Sequence, residues 1–123
     1  MARTTISFPC ETFSVGRARH AVAGFLELEG CTGRGSETAG LLVSELATNA
    51  VRHAETLFTV EMVHEPGTLE IEVGDGDPTM PRPRPPDGEG GRGLRIVEAL
   101  ADAWGTRVRD SGKAVYFRLA CSS

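Results

Sequence analysis

Between residues 68 and 73 the chain alternates without a break, setting Thr68, Glu70 and Glu72 against Leu69, Ile71 and Val73. A strand points successive side chains to opposite faces, so this run builds a sheet with one buried face and one wet face. The preceding β-rich run, Leu57 to His64, reaches it through Glu65-Pro66-Gly67, where proline and glycine preset a hairpin connection. Parallel sheets are covered on both faces and read as continuous apolar runs, unlike this one. The predicted class is therefore α+β: a two-layer α/β sandwich with a mixed, mostly antiparallel sheet and helices on one face.

Three segments have the periodicity to supply those helices. Val15, Ala18, Val22, Phe25 and Leu26 form one stripe, with Ser14 placed to cap it and Gly30 to stop it. His20 lies off that stripe, as a solvated helix residue. After a turn at Cys31-Thr32-Gly33-Arg34-Gly35, Ser36 offers a cap for a longer helix running to Ala54. Ala39, Leu42, Leu46 and Ala50, widened by Val43, Ala47 and Ala54, give that helix a core face. The third stripe is Leu94, Val97, Leu100, Ala101 and Trp104, with Gly105 in the position of a helix-terminating glycine. Thr4 to Phe8 reads as a strand near a sheet edge, ended by Pro9. A final hairpin, Thr106 to Asp110 and Ala114 to Ala120 about Ser111-Gly112-Lys113, completes the sheet.

A formal charge of −4, from thirteen Lys and Arg against seventeen Asp and Glu, lacks the positive field that nucleic acid or an anionic membrane would attract. Cys10, Cys31 and Cys121 show neither zinc-site spacing nor the density of a disulfide scaffold, and are expected as free thiols. The first residues lack the apolar run of a signal peptide, and no stretch has the length of a membrane span. The expected location is cytoplasmic, and the expected organisation is one domain over residues 1–123.

Chemistry concentrates in three places. On the central helix Glu45, Asn49 and His53 recur every fourth residue, each displaced by about 40° around the axis, and so form a polar column beside the apolar face. A carboxylate and an amide held there need partners for their oxygens, and a metal ion or a polyphosphate supplies them. Asp75, between glycines at a strand end, is either a turn aspartate or an acceptor for the exocyclic amine of a flat ligand. Gly90-Gly91-Arg92-Gly93-Leu94 leads into a helix start, where unpaired N–H groups and the helix dipole favour a phosphate. From Gly74 to Gly93 five prolines, between residues 78 and 86, and the flanking glycines exclude strand and helix, and residues 77–92 read as a lid.

In this order the motifs resemble those of the GHKL or Bergerat-fold ATPases, the superfamily of gyrase, histidine kinases and mismatch-repair proteins, over residues 5–120. Glu45-Leu46-Ala47-Thr48-Asn49-Ala50-Val51-Arg52-His53-Ala54 resembles the N box, Asp75-Gly76-Asp77-Pro78 the first glycine box, and Gly90-Gly91-Arg92-Gly93-Leu94 the second. The resemblance implies ATP and Mg²⁺ as cofactors, with Asn49 the Mg²⁺ ligand and Glu45 the catalytic general base. It implies that Asp75 binds the adenine amine and Gly76 admits the base. Gly91, Gly93 and Leu94 then present N–H groups to the phosphates. Arg92 and Arg95 either add charge there or are solvated, and His53 either helps close the site or packs.

A sensor histidine kinase needs a helical dimerisation and phosphoacceptor segment for which this sequence has no residues. The expected branch is instead that of the stand-alone anti-sigma-factor kinases, which the chain resembles in its opening strand, its Gly-Arg-Gly-Leu turn and Ala-Asp-Ala-Trp-Gly. That resemblance implies a protein serine/threonine kinase whose partners are a sigma factor and an anti-anti-sigma protein, with a homodimer compatible and no nucleic-acid or membrane contact. The alternative is a non-catalytic module whose nucleotide sets its affinity for a protein partner. Glu45 favours the kinase. Ala114, where the family often has a threonine near the nucleotide, favours the module.

Overall fold

The computed structural model describes residues 1–53, 56–75, 92–109 and 112–121. In chain order the elements are β1 (Ala2–Phe8), α1 (Phe13–Leu28), α2 (Arg34–His53), β2 (Phe58–Glu65), β3 (Gly67–Asp75), α3 (Arg92–Leu100), β4 (Ala103–Arg109) and β5 (Gly112–Cys121). The five strands form one sheet in the order β1-β2-β3-β5-β4. Every neighbouring pair is antiparallel, so the sheet is wholly antiparallel where a mixed one is expected. The two-layer α+β class stands, and β1 is an edge strand as its sequence implies.

The alternation in β3 does what its pattern requires. Leu69, Ile71 and Val73 are buried in one core with Phe58, Val60, Met62, Phe117 and Leu119 of the adjoining strands. Val22 and Leu26 of α1, Leu42, Val43 and Leu46 of α2, and Val97 of α3 close that core from the helical side. Glu65-Pro66-Gly67-Thr68 turns the hairpin, with Glu65 opposite Thr68 and Gly67 at φ 83°. Proline then glycine at positive φ is the pattern of a type II turn.

The other sheet face carries an ionic cluster. Arg107 donates from Nη1 to Glu72 at 2.7 Å and to Glu70 at 3.1 Å, while Arg118 Nε donates to Glu70 at 2.7 Å. Partial burial works against the charged form of Glu70, but the hydrogen bonds and charges of Arg107 and Arg118 outweigh it and hold the carboxyl below its ordinary pKa. The same bonds, Glu70 foremost, raise the pKa of Arg107. Its guanidinium lies 3.8 Å from the centre of the Tyr116 ring.

Several boundaries differ from expectation. Ser14 is not the cap of α1. It lies buried inside the first turn, where its hydroxyl donates to Pro9 O at 2.7 Å. Ser36 likewise falls within the first turn of α2, because Gly33, at φ 86°, lets the helix start at Arg34. Gly30 does stop α1. At φ 74° it lets Cys31 N–H reach Leu26 O at 2.8 Å and its own N–H reach Glu27 O at 3.2 Å, a Schellman closure.

The third helical stripe runs too far: α3 ends at Leu100, and Trp104 and Gly105 belong to β4. The chain is turned there by Asp102, whose N–H donates to Arg118 O and whose carboxylate accepts from Ala120 N–H at 2.7 Å. Cys31 and Cys121 are not free thiols but are paired as a disulfide with a Cα–Cα distance of 5.8 Å, and Cys10 is free. Among the described residues no helix is long and apolar enough to cross a membrane. Ala54 and residues 77–91 of the lid read over 77–92 lie outside the described residues, and both ends of the segment expected to be irregular are ordered: β3 runs on through Gly74 to Asp75, and α3 already starts at Arg92.

Candidate functional site

The polar column starts from the way α2 is seated. Leu42, Leu46 and Ala50 are buried against the sheet, which fixes the rotation of the helix and leaves Glu45 and Asn49 half-buried at the margin of the core. Ser44 Oγ donates back to Gly40 O at 2.9 Å and Thr48 Oγ1 to Ser44 O at 2.7 Å, so these hydroxyls are used within the helix. The side chains of Glu45 and Asn49 have no hydrogen-bond or ion-pair partner among the described residues. His53, the last residue of α2, is exposed.

The chain enters β2 soon after the column. Four residues separate the end of α2 from β2, whose first residue, Phe58, lies opposite Asp75, the last residue of β3. Asp75 also lies opposite Lys113 in β5. Alternation puts Asp75 and Lys113 on the face of Val73 and Val115, the face covered by helices. Lys113 Nζ donates to both carboxylate oxygens of Asp75, at 3.0 and 3.2 Å. The two side chains are only 12% and 9% exposed, so this pair is largely out of water. Removing one member of a buried pair typically costs about 3–5 kcal/mol, because the other charge is left uncompensated.

Lys113 is the residue that sequence reasoning missed. The pattern Ser111-Gly112-Lys113 reads as a turn, whereas β5 begins at Gly112 and takes Lys113 into the sheet. Ala114, by contrast, lies opposite Gly74 and faces away from Asp75. A Cβ on Gly74 would stand 3.5 Å from that of Ala114 and 3.3 Å from Thr59 Oγ1, on the side away from the helices. The β5 residue that meets Asp75 is therefore Lys113, not Ala114.

At the third place, α3 starts at Arg92, so the backbone N–H groups of Arg92, Gly93 and Leu94 fall in a first helical turn with no intrahelical acceptor. Leu94 is 3% exposed and Val97 fully buried, which locks this helix into the core beside α2. Arg95 is exposed. Gly76 and Gly91 lie outside the described residues, as does the side chain of Arg92. α2, which carries Glu45 and Asn49, packs on β3, which ends at Asp75, on β5 and on α3.

Among the described residues no three His, Cys, Asp or Glu gather to hold a metal. Glu45 and Asn49 offer hard oxygen donors one helical turn apart. That set suits Mg²⁺, which takes few protein ligands and completes its shell with water and phosphate oxygens.

A family model, the histidine kinase-like ATPase domain, matches residues 8–119. The chain belongs to that family. Within this ATPase domain the described parts of the three motifs are Glu45 to His53 on α2, Asp75 at the end of β3, and Arg92 to Leu94 at the start of α3. The crystal structure of the RsbU and RsbW domains of Rv1364c from Mycobacterium tuberculosis shares the fold of this ATPase domain, with a TM-score of 0.76 at 16% identity. The match covers 100% of this chain and 33% of that one, so the chain spans about a third of the length of that protein. None of the curated proteins compared matches the ATPase domain in sequence.

Proposed function

We propose that this histidine kinase-like ATPase domain binds Mg-ATP between α2, the β3–β5 strand ends and the start of α3, and transfers the γ-phosphoryl group to a protein hydroxyl. The observation that carries this reading is the pair Glu45 and Asn49, half-buried and unpartnered among the described residues, on a helix that packs on β3, the strand Asp75 ends. Asn49 holds Mg²⁺ through its side-chain oxygen, and Glu45 takes the proton from the attacking hydroxyl. Bound Mg²⁺ supplies neutralisation of the charge that develops on the phosphates. The N–H groups of Gly93 and Leu94 would orient the phosphates, joined by that of Gly91 and by the Arg92 and Arg95 charges, while Asp75 would accept from the adenine amine and Gly76 would admit the base. His53, exposed at the end of α2, would in this reading help close the site.

The branch follows from the motifs that resemble the stand-alone anti-sigma-factor kinases, and the fold shared with the structure holding an RsbW domain accords with it. The substrate is then a serine or threonine of an anti-anti-sigma protein, a sigma factor is the second partner, and the setting is the cytoplasm, with residues 1–123 working as one domain. The alternative, a non-catalytic module, rests on Ala114, which lies opposite Gly74 and faces away from Asp75. Two measurements test the proposal: titration of Mg-ATP into the protein and its Asn49→Ala variant, and incubation with labelled ATP and candidate anti-anti-sigma proteins. We expect Mg²⁺-dependent affinity to fall in the variant and label to pass to a Ser or Thr. Unchanged Mg²⁺-dependent affinity in Asn49→Ala would remove the metal assignment.

A further inference from the structure

Lys113 is paired with Asp75, the residue read as the acceptor for the adenine amine, and its chemistry is specific. A carboxylate only accepts hydrogen bonds and an ammonium only donates them. Side by side, at 3.0 and 3.2 Å, the two present an acceptor next to a cationic donor on the helix-covered face of the sheet. We propose that Lys113 is a specificity-determining residue of the nucleotide site, donating to ring nitrogen N1 of adenine while Asp75 accepts from the neighbouring exocyclic amine. The inference rests on the nucleotide-binding reading above.

The geometry favours adenine over guanine. Guanine sets two adjacent N–H donors against a carboxylate and is held best when both oxygens turn to it. In this protein Lys113 already spans both oxygens of Asp75. Adenine asks less: one oxygen for one amine N–H, and one donor for N1. The ammonium has three N–H bonds, so it can serve N1 and keep a bond to Asp75. Low exposure of both side chains strengthens each contact, since little water competes.

The opposite possibility is that the ion pair plugs the base site, so that a nucleotide must first break it. The two behave differently when N1 is removed. The probes are ATP, GTP and the triphosphate of 1-deazaadenosine, which replaces N1 by a C–H and retains the amine. Dissociation constants are measured by calorimetry on the wild-type chain and on Lys113→Met, with thermal melts of both. A hydrogen bond to a charged donor predicts that the wild type binds the 1-deaza analogue roughly ten- to a hundred-fold more weakly than ATP. Lys113→Met should bind ATP more weakly by a similar factor and no longer distinguish the two.

Equal wild-type affinity for ATP and the analogue overturns the assignment without recourse to any variant, so it stands or falls even if Lys113→Met does not fold. Tighter ATP binding by Lys113→Met overturns it in favour of the plug, and GTP binding better than ATP overturns the adenine pairing. Failure of the wild type to bind any of the three removes the nucleotide reading itself, and this inference with it.

Discussion

Gly105 decides between two descriptions of the chain after α3, and its replacement by alanine has a calculable effect. As a helix-terminating residue it would sit at positive φ, and a side chain would be penalised by the backbone whatever surrounds it. Gly105 instead lies in β4 opposite Tyr116, and is not among the positive-φ glycines, Gly30, Gly33 and Gly67. A Cβ there would stand 2.9 Å from both Cε1 and Oη of Tyr116 and 3.0 Å from Cζ. Contacts that short do not persist, so the ring must move away from beneath the Arg107 guanidinium, now 3.8 Å from its centre. Overpacking of this kind costs about 1–3 kcal/mol, and loss of a partly exposed cation–π contact about 0.5–1 kcal/mol. Against these, alanine restricts the unfolded chain and contributes about 0.4–1 kcal/mol in favour of folding. The net expectation is destabilisation by about 1–2 kcal/mol. With an unfolding entropy of about 2.1 cal/mol/K per residue, a chain of 123 residues should lose roughly 4–8 °C in Tm. The assay is a double-mutant cycle by thermal and urea unfolding, with Gly105→Ala made in the wild type and in Tyr116→Ser. In the second background the cost should vanish or change sign. A cost that persists undiminished without the ring would refute the steric argument and restore a backbone role for Gly105.

The same treatment extends to other sites. Glu45→Gln should retain ATP affinity and partner binding yet lose phosphoryl transfer by roughly 10²–10⁴-fold, read by calorimetry and single-turnover labelling on one preparation; parallel loss of binding and transfer would show that Glu45 supports the ground state instead. Because the folded-state pKa of Glu70 lies below the ordinary value of 4.5, its contribution to stability is complete above that pH and disappears as pH falls through the depressed value. Urea unfolding at neutral pH and near pH 3 should therefore show a steeper acid loss in the wild type than in Glu70→Gln, and equal losses would argue against the cluster. Gly67→Ala forces a Cβ into a turn position at φ 83° and should cost about 1–2 kcal/mol, measured by chemical unfolding, although nothing in space opposes the new methyl.

Periodicity and order along the chain determined a good deal by themselves. The unbroken alternation of residues 68–73 implied a one-sided sheet, and Leu69, Ile71 and Val73 are buried as it required. The apolar stripe of α2 implied its core face and hence the partly sheltered column of Glu45 and Asn49, since a helix converts four-residue spacing into a shared side without help from the rest of the fold. The three motifs, read in sequence, led to the family that the match over residues 8–119 shows. Local pattern failed where a competing partner lay far away. Leu94, Val97, Leu100, Ala101 and Trp104 keep helical spacing, yet the hydrogen bonds that Asp102 donates to Arg118 O and accepts from Ala120 N–H draw the chain into the sheet after Leu100. Cys31 and Cys121, 90 residues apart, meet only because the closure at Gly30 and the end of β5 fall at the same place. Lys113 looked like a turn residue until the register of β5 on β3 set it opposite Asp75, 38 residues away in sequence. Which residues face one another across neighbouring strands depends on how two distant segments slide into register, and a shift of one position would have sent Lys113 to the wet face.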